Sequence, residues 1–504
     1  MIKRYADPRN AENWSLPVKF GRWQEVELAV IEAREKLGRI PSGTHQSIKN
    51  ILESHLIDIQ FILDKEKELE HDLLSFLAER SQHLLDALKQ YLHADEMTSY
   101  DDEEPAFAEA LQTSCDLVMS DIAGIGGLFD AIKEKALTYS FTVWYRRTHG
   151  QGAELESFGR CCLAWHQDLK AAVSTLDDAM KMLAFSKLSG MIGTNAGMDP
   201  ELEKEALAIL GFKPWIGATQ IMPRVCYSPI ADALANIASV IEKISLDIWL
   251  NARSGHPLLH EPFKKTQKGS SAGPHKRNPI YDEQNRGMGN MARSQATSIK
   301  NTIVTPEGRD ISQSCVERVM WPDLFDVTLR AIKNLTRSMK DLRVYPDNMI
   351  VEILESRGTY AASKAKEVLT VLGLPFGLSR DDAYGIVQLA SFKAFEPDEW
   401  CRELRANPPR TPEEMDEAVK EMYSHGYSYA DLPTIQQMIP DALLDLSPEL
   451  EFNHGQVERW NAILRDIFSP DRPENQRKWD EIFKPSFILK HEHCQFEQVF
   501  GTKQ

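Results

Sequence analysis

The stretch 229–248 most constrains the fold of this 504-residue chain. Its apolar residues recur at alternating spacings of three and four, as in a heptad seam: Leu234, Ile237, Ile241, Ile244 and Ile248. A helix with such a seam packs along its whole length against other helices. The segments after Asp282 and Pro322 are also typical of helices, and no alternating strand pattern of comparable length occurs within 113–345. The sequence therefore predicts an all-α fold with a long-helix bundle at its centre.

The amino-terminal part of the chain is also predicted to be helical. Helical stripes of apolar residues run through residues 14–37 and 44–79, and Pro41-Ser42-Gly43 separates them. The polar, acidic segment 95–105 is typical of a solvated loop. At residues 112–116, hydroxyl side chains and an aspartate precede an apolar run, which indicates the start of a helix. This start is either a simple cap or a place where hydroxyl and N–H groups meet an anion.

Composition excludes several classes of function. The formal net charge of −17 argues against a general nucleic-acid binder, which usually carries a basic surface. Seven irregularly spaced cysteines without a CxxC pair indicate free thiols in a reducing compartment, and the crowded His491, His493 and Cys494 lack the spacing of a closed metal site. The first residues lack the apolar core of a signal peptide, and no apolar run is long enough to span a membrane. We therefore predict a cytoplasmic protein without a metal, a membrane span or a nucleic-acid partner.

The densest chemistry lies in residues 269–279, where small residues, glycine and proline exclude a helix. This stretch carries the hydroxyls of Ser270 and Ser271 together with an imidazole, two cations and an amide, and Glu283 follows it. An exposed loop with so many polar groups is typical of a mobile lid over anions. It resembles the signature loop GSSxMPxKxNP of the fumarase/aspartase superfamily of fumarate-releasing lyases, with Gly273 in place of Met.

Three other places have both a structural and a functional interpretation. His149 is preceded by two arginines and followed by two glycines, where a ligand can approach the backbone, although a lone histidine in a turn is usually structural. Residues 309–318 contain two arginines and two serines, which suit a phosphate clamp, although a solvated helix start is favoured when they are taken alone. His71 by itself is an ordinary histidine on a helix surface.

Together these pieces resemble the adenylosuccinate lyase family over roughly residues 1–395. The family motifs RY, HDV, TSSD, THGQ, TQ and RDISHSSVER match, in that order, Arg4-Tyr5, His71-Asp72, Thr113-Ser114, residues 148–151, Thr219-Gln220 and residues 309–318. The chain departs from the family pattern at Glu70, Leu73, Cys115, Val225, Gln284, Gln313 and Cys315. These departures concern the identity of the substrate more than the type of reaction.

The resemblance implies β-elimination of fumarate from adenylosuccinate, which yields AMP, and from the succinyl-carboxamide ribotide (SAICAR) of purine biosynthesis. It makes Ser270 the base and His149 the acid, with His71, Lys276 and Glu283 completing the catalytic set. The substrate-binding residues that it implies are Arg4, Tyr5, Asp72, Thr113, Ser114, Gln220, Ser271, Asn278, Arg309, Ser314 and Arg318. It implies no cofactor and a homotetramer in which three subunits complete each site around the central helices.

The predicted organisation is three helical domains: residues 1–112, residues 113–350 with the signature loop, and residues 351–504 with an extension from about residue 396. Two other functions stay open. One is a lyase or cycloisomerase of the same fold that acts on a different N-succinyl or carboxymuconate-type substrate. The other is a non-catalytic scaffold, against which the complete set of catalytic residues argues.

Overall fold

The computed structural model describes residues 1–94, 97–396, 399–425, 433–447 and 450–501, and helices dominate it. In chain order the helices are α1 (Pro8–Asn13), α2 (Leu16–Lys36), α3 (Thr44–Glu53), α4 (Ile59–Leu69), α5 (Asp72–Ser81), α6 (Asp86–Lys89), α7 (Ser99–Ala123), α8 (Leu128–Thr138), α9 (Phe158–Met180), α10 (Pro200–Ile209), α11 (Ser228–Asn251), α12 (Ile280–Asn301), α13 (Ser312–Lys340), α14 (Pro346–Glu355), α15 (Ala362–Gly373), α16 (Arg380–Ala394), α17 (Glu399–Ala406), α18 (Pro412–His425), α19 (Ile435–Met438), α20 (His454–Ile467), α21 (Pro473–Glu481), α22 (Pro485–Ile488) and α23 (Glu492–Phe500). Short 3₁₀ helices occupy Lys181–Ala184, Arg224–Cys226, Pro306–Gly308, Thr359–Ala361 and Leu374–Phe376. The predicted all-α fold is confirmed.

The strands of the described residues are short. They are β1 (Val143–Thr148), β2 (Gln151–Ser157), β3 (Phe185–Ser186), β4 (Lys213–Pro214), β5 (Leu259–His260) and β6 (Arg343–Val344). β1 and β2 form an antiparallel hairpin, whereas β3 and β4 pair in parallel. The hairpin was not expected from the sequence, because its strands are too brief to show a sustained alternation of apolar and polar residues.

The chain forms two compact units, each built from separate stretches of sequence. The first comprises Met1–Ile132, Trp165–Arg253 and Leu259–Arg343, and the second comprises Lys133–Ala164, Ser254–Leu258 and Val344–Gln504. The division into three domains stays a prediction.

Three long helices, α11, α12 and α13, pack against one another in the first unit. The heptad seam predicted from the sequence lies in α11, and all five of its members are completely buried. Burying one such side chain contributes about 1.5–3 kcal/mol, so the seam is a major source of stability for this unit. The predicted long-helix bundle is therefore present within a single chain.

The periodic segment 44–79 is helical but is not one helix, because the chain turns twice and forms α3, α4 and α5. Asp58 accepts a hydrogen bond from a backbone N–H in the first turn of α4, and Glu70 ends that helix in a left-handed conformation with φ of 52°. His71 consequently lies at the N-terminal cap of α5 rather than on the surface of a long helix.

The acidic segment 95–105 is not the predicted solvated loop. Asp95 and Glu96 lie outside the described residues, but Thr98 caps α7 and the helix begins at the next residue. A capping box closes this start, because Asp101 accepts a hydrogen bond from the backbone N–H of Thr98 at 2.8 Å. The helix start predicted at 112–116 is also wrong, since these residues lie in the interior of α7.

The acidic residues at the beginning of α7 are buried and neutralised. Asp101 pairs with Lys187 (2.5 Å) and Glu104 pairs with Arg224 (2.5 Å), both cations coming from other parts of the first unit. Asp102 lies 3.3 Å from His93, and burial beside Glu27 raises the pKa of Asp102 well above its ordinary value. A buried carboxylate without such a partner costs several kcal/mol. Charge compensation by distant residues therefore explains why a polar, acidic sequence is a helix in the interior.

The second unit has its own apolar core, shared by α15, α16, α20 and α21. Two buried tryptophans lie in it, and each indole N–H has an acceptor: Trp460 donates to Asp382 at 2.8 Å, and Trp479 donates to a backbone carbonyl at 2.9 Å. Ser379 and Asp382 form a capping box at the start of α16.

In the described ranges, no helix is both long enough and apolar enough to cross a membrane. All seven cysteines lie in those ranges, and none of them forms a disulfide. Burial raises the pKa of the Cys162 thiol well above its ordinary value, which keeps that thiol protonated and unreactive.

The buried pairs around Arg224 give a first testable prediction. Arg224 donates to Glu317 at 2.8 and 3.0 Å and to Glu104 at 2.5 Å, and all three residues are buried. We expect Arg224→Met to lower the free energy of unfolding by about 3–5 kcal/mol, because it leaves two buried carboxylates unpaired. The exposed pair of Arg293 with Glu242 supplies the control, and Arg293→Met should cost less than about 1 kcal/mol. Denaturant titration measures both values, and equal losses would contradict the prediction.

Candidate active site

The signature loop, residues 269–279, is irregular, as predicted, and hydrogen bonds draw its ends together. Asn278 Nδ2 donates to the carbonyl of Gly269 at 2.9 Å, and the backbone N–H of Lys276 donates to the carbonyl of Gly273 at 3.0 Å. The approach is so close that a Cβ on Gly269 would lie 2.0 Å from the carbonyl oxygen of Lys276. Only glycine fits this position, so the first letter of the motif has a steric cause.

The hydroxyl of Ser270 is held within the loop by two backbone groups. Its Oγ accepts from the N–H of Gly273 at 3.1 Å and from the N–H of Ala272 at 3.3 Å. Such donors stabilise negative charge on an oxygen, which is what a serine needs in order to act as a base. Ser271 and Lys276 are exposed beside it.

Two buried residues before the loop anchor its far end. The ring of His260 lies between the carbonyls of Glu261 (2.8 Å from Nδ1) and Arg277 (3.0 Å from Nε2). The carboxylate of Glu261 accepts from the backbone N–H groups of Tyr281 at 2.8 Å and Asp282 at 3.3 Å, at the start of α12. This pair therefore fixes the point at which the loop passes into α12.

Burial perturbs two acids at this anchor. Desolvation raises the pKa of Glu261 to about 7, although the backbone N–H groups oppose the effect. Burial, together with the charge of Glu261, raises the pKa of Asp282 well above its ordinary range. Two neighbouring buried acids cannot both ionise without a large cost, so the anchor retains a proton near neutral pH.

A second group of predicted residues gathers around His71 in the first unit. Its Nδ1 accepts from the backbone N–H of Leu74 at 3.4 Å, and its Nε2 lies 3.4 Å from the hydroxyl of Ser99. Asp72 binds Arg318 at 3.0 Å and Lys19 at 3.1 Å. Burial alone would raise the pKa of Asp72, but these two cations outweigh it and hold the pKa below its ordinary value.

Gln220 and Arg309, both predicted to bind substrate, extend this group. Gln220 donates from Nε2 to the hydroxyl of Thr98 at 3.3 Å and accepts from Arg309 at 3.1 Å. The guanidinium of Arg309 lies over the ring of Tyr100, 4.1 Å from its centroid. Thr98, Ser99 and Tyr100 thus connect His71 with Gln220 and Arg309.

A cavity of about 300 Å³ adjoins this group. Three predicted residues, Asp72, Ser314 and Arg318, line it together with the aromatic rings of Trp14, Phe20, Trp23, Tyr100 and Phe107. The hydroxyl of Ser314 donates to the carbonyl of Ile311 at 3.1 Å. The lining also carries the carboxylates of Glu66, Glu103, Glu104 and Glu317. A concave site that combines apolar walls with converging polar groups is typical of small-molecule binding.

The structure does not bring Thr113 and Ser114 to His71. Ser114 is completely buried, where its hydroxyl donates to Asn10 and accepts from Asn13, both at 2.8 Å, and from Trp14 at 2.9 Å. The hydroxyl of Thr113 lies 3.4 Å from a guanidinium nitrogen of Arg22. Three hydrogen bonds saturate the Ser114 hydroxyl and give it a structural role.

Thr98 and Ser99 are the hydroxyl residues that the sequence analysis missed. The segment 98–101 matches the motif TSSD with one substitution, Tyr100, and the segment 113–116 also matches it with one, Cys115. The two strings are therefore equally good, and only the contact of Ser99 with His71 separates them.

His149 lies in the second unit, at the turn between β1 and β2. Both turn residues have positive φ, 54° at His149 and 78° at Gly150, as in the turns that suit two-residue hairpins. A residue other than glycine in this conformation costs about 1 kcal/mol or more, and such strain concentrates at functional sites. The arms of the hairpin are anchored by Arg147, which donates to Glu352 at 2.6 and 3.2 Å. The turn holds the exposed His149 at a fixed position.

The remaining predicted residues lie near the start of α12 and at the amino terminus. Glu283 is exposed and accepts from the indole N–H of Trp249 at 3.3 Å. The guanidinium of Arg4 lies 5.8 Å from the ring centroid of Tyr5. From α13, the guanidinium of Arg330 lies 5.7 Å from the same ring.

One cluster in the described residues has the composition of a metal site. His93 Nδ1 lies 2.9 Å from Glu27 and 3.3 Å from Asp102. Burial lowers the pKa of His93, but the two carboxylates outweigh it and raise this pKa to about 10. A protonated imidazole therefore lies where a metal would bind, and burial beside Glu27 raises the pKa of Asp102 well above its ordinary value.

Comparison with known proteins agrees with the helical fold and with the resemblance of the loop to that of fumarate-releasing lyases. A family model described as lyase matches residues 11–293. The adenylosuccinate lyase of Aquifex aeolicus (strain VF5) is 35% identical over 428 residues, which is 83% of this chain and 95% of that protein. The adenylosuccinate lyase of Bacillus subtilis (strain 168) is 32% identical over 436 residues, 86% of this chain and 98% of that protein.

Solved structures share the fold over nearly the whole chain. The fumarate lyase from Mesorhizobium sp. BNC1 has a TM-score of 0.75 and 18% identity, with 99% of both chains covered. The 3-carboxy-cis,cis-muconate lactonizing enzyme from Pseudomonas putida has a TM-score of 0.72 and 16% identity, with 98% of this chain and 96% of that chain covered. The region beyond residue 396, which the sequence analysis described as an extension, thus lies within the fold that these proteins share.

The helical bundle, the signature loop and these matches define the class of protein, a lyase of the fumarase/aspartase superfamily. Within that class, the chain belongs to the adenylosuccinate lyase family.

The buried acid at the loop anchor gives a prediction about pH. The pKa of Glu261 is raised from 4.5 to about 7, so between these values the folded state holds a proton that the unfolded state has lost. This carboxyl therefore lowers the free energy of unfolding by about 3 kcal/mol as the pH rises from 4.5 to 7. We expect Glu261→Gln to remove that part of the slope, measured by denaturant titration at pH 5 and pH 8. Exposed Glu355→Gln is the control, and a Glu261→Gln slope equal to that of the unmodified protein would refute the prediction.

The two candidate hydroxyl pairs give another prediction. Ser99→Ala should lower kcat/KM for fumarate release about tenfold, the effect of losing one hydrogen bond near the substrate. Ser114→Ala should leave kcat/KM unchanged while it lowers the free energy of unfolding by about 1–3 kcal/mol, because its buried partners lose a hydrogen bond. Steady-state kinetics and denaturant titration on both variants check this, and the opposite pattern would restore residues 113–114 to the site.

Proposed function

We propose that this lyase cleaves adenylosuccinate to AMP and fumarate, and that it also cleaves the succinyl-carboxamide ribotide of purine biosynthesis. The observation that carries the proposal is the Ser270 hydroxyl, which receives two backbone N–H groups on a loop whose ends are anchored. Membership of a family whose relatives are named adenylosuccinate lyases supports the choice of substrate.

The first step is removal of a proton from the succinyl carbon next to a carboxylate, and Ser270 is the proposed base. A serine hydroxyl is a weak base, so the alkoxide must be stabilised. The N–H groups of Ala272 and Gly273 supply part of that stabilisation. The exposed ammonium group of Lys276 supplies positive charge on the same loop.

The second requirement is to hold the carbanion that results. Its charge spreads onto the neighbouring carboxylate, and Lys276, Asn278 and Ser271 are proposed to bind the carboxylates of the succinyl group. Interactions that strengthen as charge develops accelerate the chemical step rather than merely binding the substrate. The amide of Asn278 already helps to close the loop, so closure and substrate binding are coupled.

The third requirement is a proton for the departing nitrogen, and His149 is the proposed acid. An imidazole titrates near neutral pH, and a neighbouring carboxylate favours its charged form. Glu283 is the proposed partner. The rigid hairpin turn supports this role because it fixes the ring on a strained but anchored backbone.

The nucleotide is proposed to bind in the group around His71. Arg309, Ser314 and Arg318 supply phosphate donors, and Arg4 and Tyr5 complete that end of the substrate. His71, Asp72 and Gln220 contact the rest of the molecule. We replace Thr113 and Ser114 by Thr98 and Ser99, because these hydroxyls lie beside His71 and Gln220.

We propose that the protein is a homotetramer with shared active sites. Within the first unit, the cavity beside Ser270 and the cavity lined by Asp72 and Arg318 have no lining residue in common among the described residues. A single substrate must nevertheless reach both groups and His149. Each site would be complete if neighbouring subunits contributed the signature loop, the group around His71 and His149 to it. The proposed reaction uses an acid and a base of the protein and no cofactor. The free thiols fit the proposed cytoplasmic location.

A carboxymuconate-type reaction is the second candidate, since one solved structure of the same fold is a 3-carboxy-cis,cis-muconate lactonizing enzyme. Identity of 16% limits that likeness to the fold. Residues suited to a phosphate, Arg309, Ser314 and Arg318, favour a nucleotide instead.

The direct test is release of fumarate from adenylosuccinate by the purified protein. Ser270→Ala and His149→Ala should each lower kcat by about 10²–10⁴-fold, the usual contribution of an acid or base. Exposed Ser174→Ala and His454→Ala should leave kcat unchanged. A folded protein that releases no fumarate from adenylosuccinate but acts on another N-succinyl compound or a carboxymuconate would overturn the proposed substrate.

Complementation tests the shared site. We expect a mixture of the inactive Ser270→Ala and His149→Ala chains, unfolded and refolded together, to regain activity, because hybrid tetramers contain sites with both intact residues. Light scattering should give the mass of four chains. Refolded mixtures that form tetramers but stay inactive would show that one chain supplies both residues.

A further inference from the structure

A second cavity lies directly beside the proposed base. Its volume is about 510 Å³, within the range of small-molecule sites, and Ser270 is part of its lining. Five of the lining residues are cations: Lys264, Lys265, Lys268, Arg277 and Arg343. None of the described residues that line it carries a carboxylate.

These cations are not neutralised by the described part of the chain. Arg343 donates to the backbone carbonyl of Phe263 at 3.0 Å, and Arg277 lies 5.8 Å from the ring centroid of the same residue. Neither contact balances charge. The five positive charges repel one another because they converge on one cavity. Such a cluster is unexpected in a chain with a formal net charge of −17. An anion bound in the cavity would relieve this repulsion.

The position of the cavity narrows the choice of anion. It shares no lining residue with the cavity that contains Ser314 and Arg318, where the nucleotide phosphate is proposed to bind. Its wall includes Ser270, the residue proposed to take the proton from the succinyl group. The anion closest to that residue at the end of the reaction is fumarate, which carries two carboxylates.

We propose that this cavity binds the released dicarboxylate through Lys264, Lys265 and Lys268, and so holds fumarate on its way out of the site. The assignment rests on the proposed function. It adds residues that neither the signature motif nor the predicted set of binding residues includes. The lysines act on the product after the C–N bond is broken, so they influence release more than chemistry.

The test is a variant in which all three lysines are neutralised, Lys264→Gln/Lys265→Gln/Lys268→Gln. The control neutralises three exposed lysines outside the cavity, Lys170→Gln/Lys204→Gln/Lys213→Gln, and so has the same net charge. Product inhibition gives the inhibition constant of fumarate. Calorimetry on protein that also carries His149→Ala, which lacks the proposed acid and so does not join the two products, gives the Kd of fumarate and, as a second probe, of inorganic phosphate at saturating AMP.

We expect the cavity variant to weaken fumarate binding at least tenfold, with the Kd of AMP unchanged, while the control retains both. The cavity variant should also reduce the salt dependence of fumarate binding. An unchanged fumarate constant would overturn the proposal, and so would loss of phosphate binding alone. Calorimetry needs no turnover. A protein that binds fumarate through these lysines but does not cleave adenylosuccinate would therefore refute the proposed substrate and support the cavity.

Discussion

The compensation of buried charge at the beginning of α7 determines how the first unit is arranged around its site. Asp101 and Glu104 lie in the interior paired with Lys187 and Arg224, which come from other parts of the chain, and Asp102 lies there beside His93. An unpaired carboxylate in that position would cost several kcal/mol, comparable to a large part of the stability of a domain. The elements that supply the cations are thereby held in register with α7.

The same cations also shape the site. Lys187 pairs with Asp101 and donates to the backbone carbonyl of Gln220 at 3.0 Å, so it fixes both the capping box of α7 and the residue that contacts Thr98 and Arg309. Arg224 and Gln313 both donate to the carboxylate of Glu317. The amide of Gln313 also donates to the hydroxyl of Tyr100 at 2.9 Å. A rigid network of this kind holds donors in place before the substrate arrives, which is the main source of electrostatic catalysis.

The signature loop combines fixed ends with an exposed tip. Asn278 and Gly269 close its base, and the carboxyl of Glu261 anchors the start of the helix that follows. A lid that binds a dianion needs both properties, since anchored ends preserve the geometry of Ser270 and a free tip admits the substrate. The concentration of unpaired cations beside Ser270 gives the loop a local positive potential within an acidic protein.

The sequence by itself determined the helical class, the long bundle and the chemistry of the loop, because heptad spacing and the glycine and proline content of 269–279 are local properties. It placed the acidic residues of 95–105 in solvent, since their partners lie far away in the chain. From sequence, Thr113-Ser114 was the predicted pair and Thr98-Ser99 was not considered, although the two strings match the motif equally well. Only the tertiary structure distinguishes them, because Ser99 lies 3.4 Å from His71 across the fold and the Ser114 hydroxyl is saturated by Asn10, Asn13 and Trp14. Which polar groups are buried, and which are left for a ligand, depends on contacts between residues that are distant in sequence.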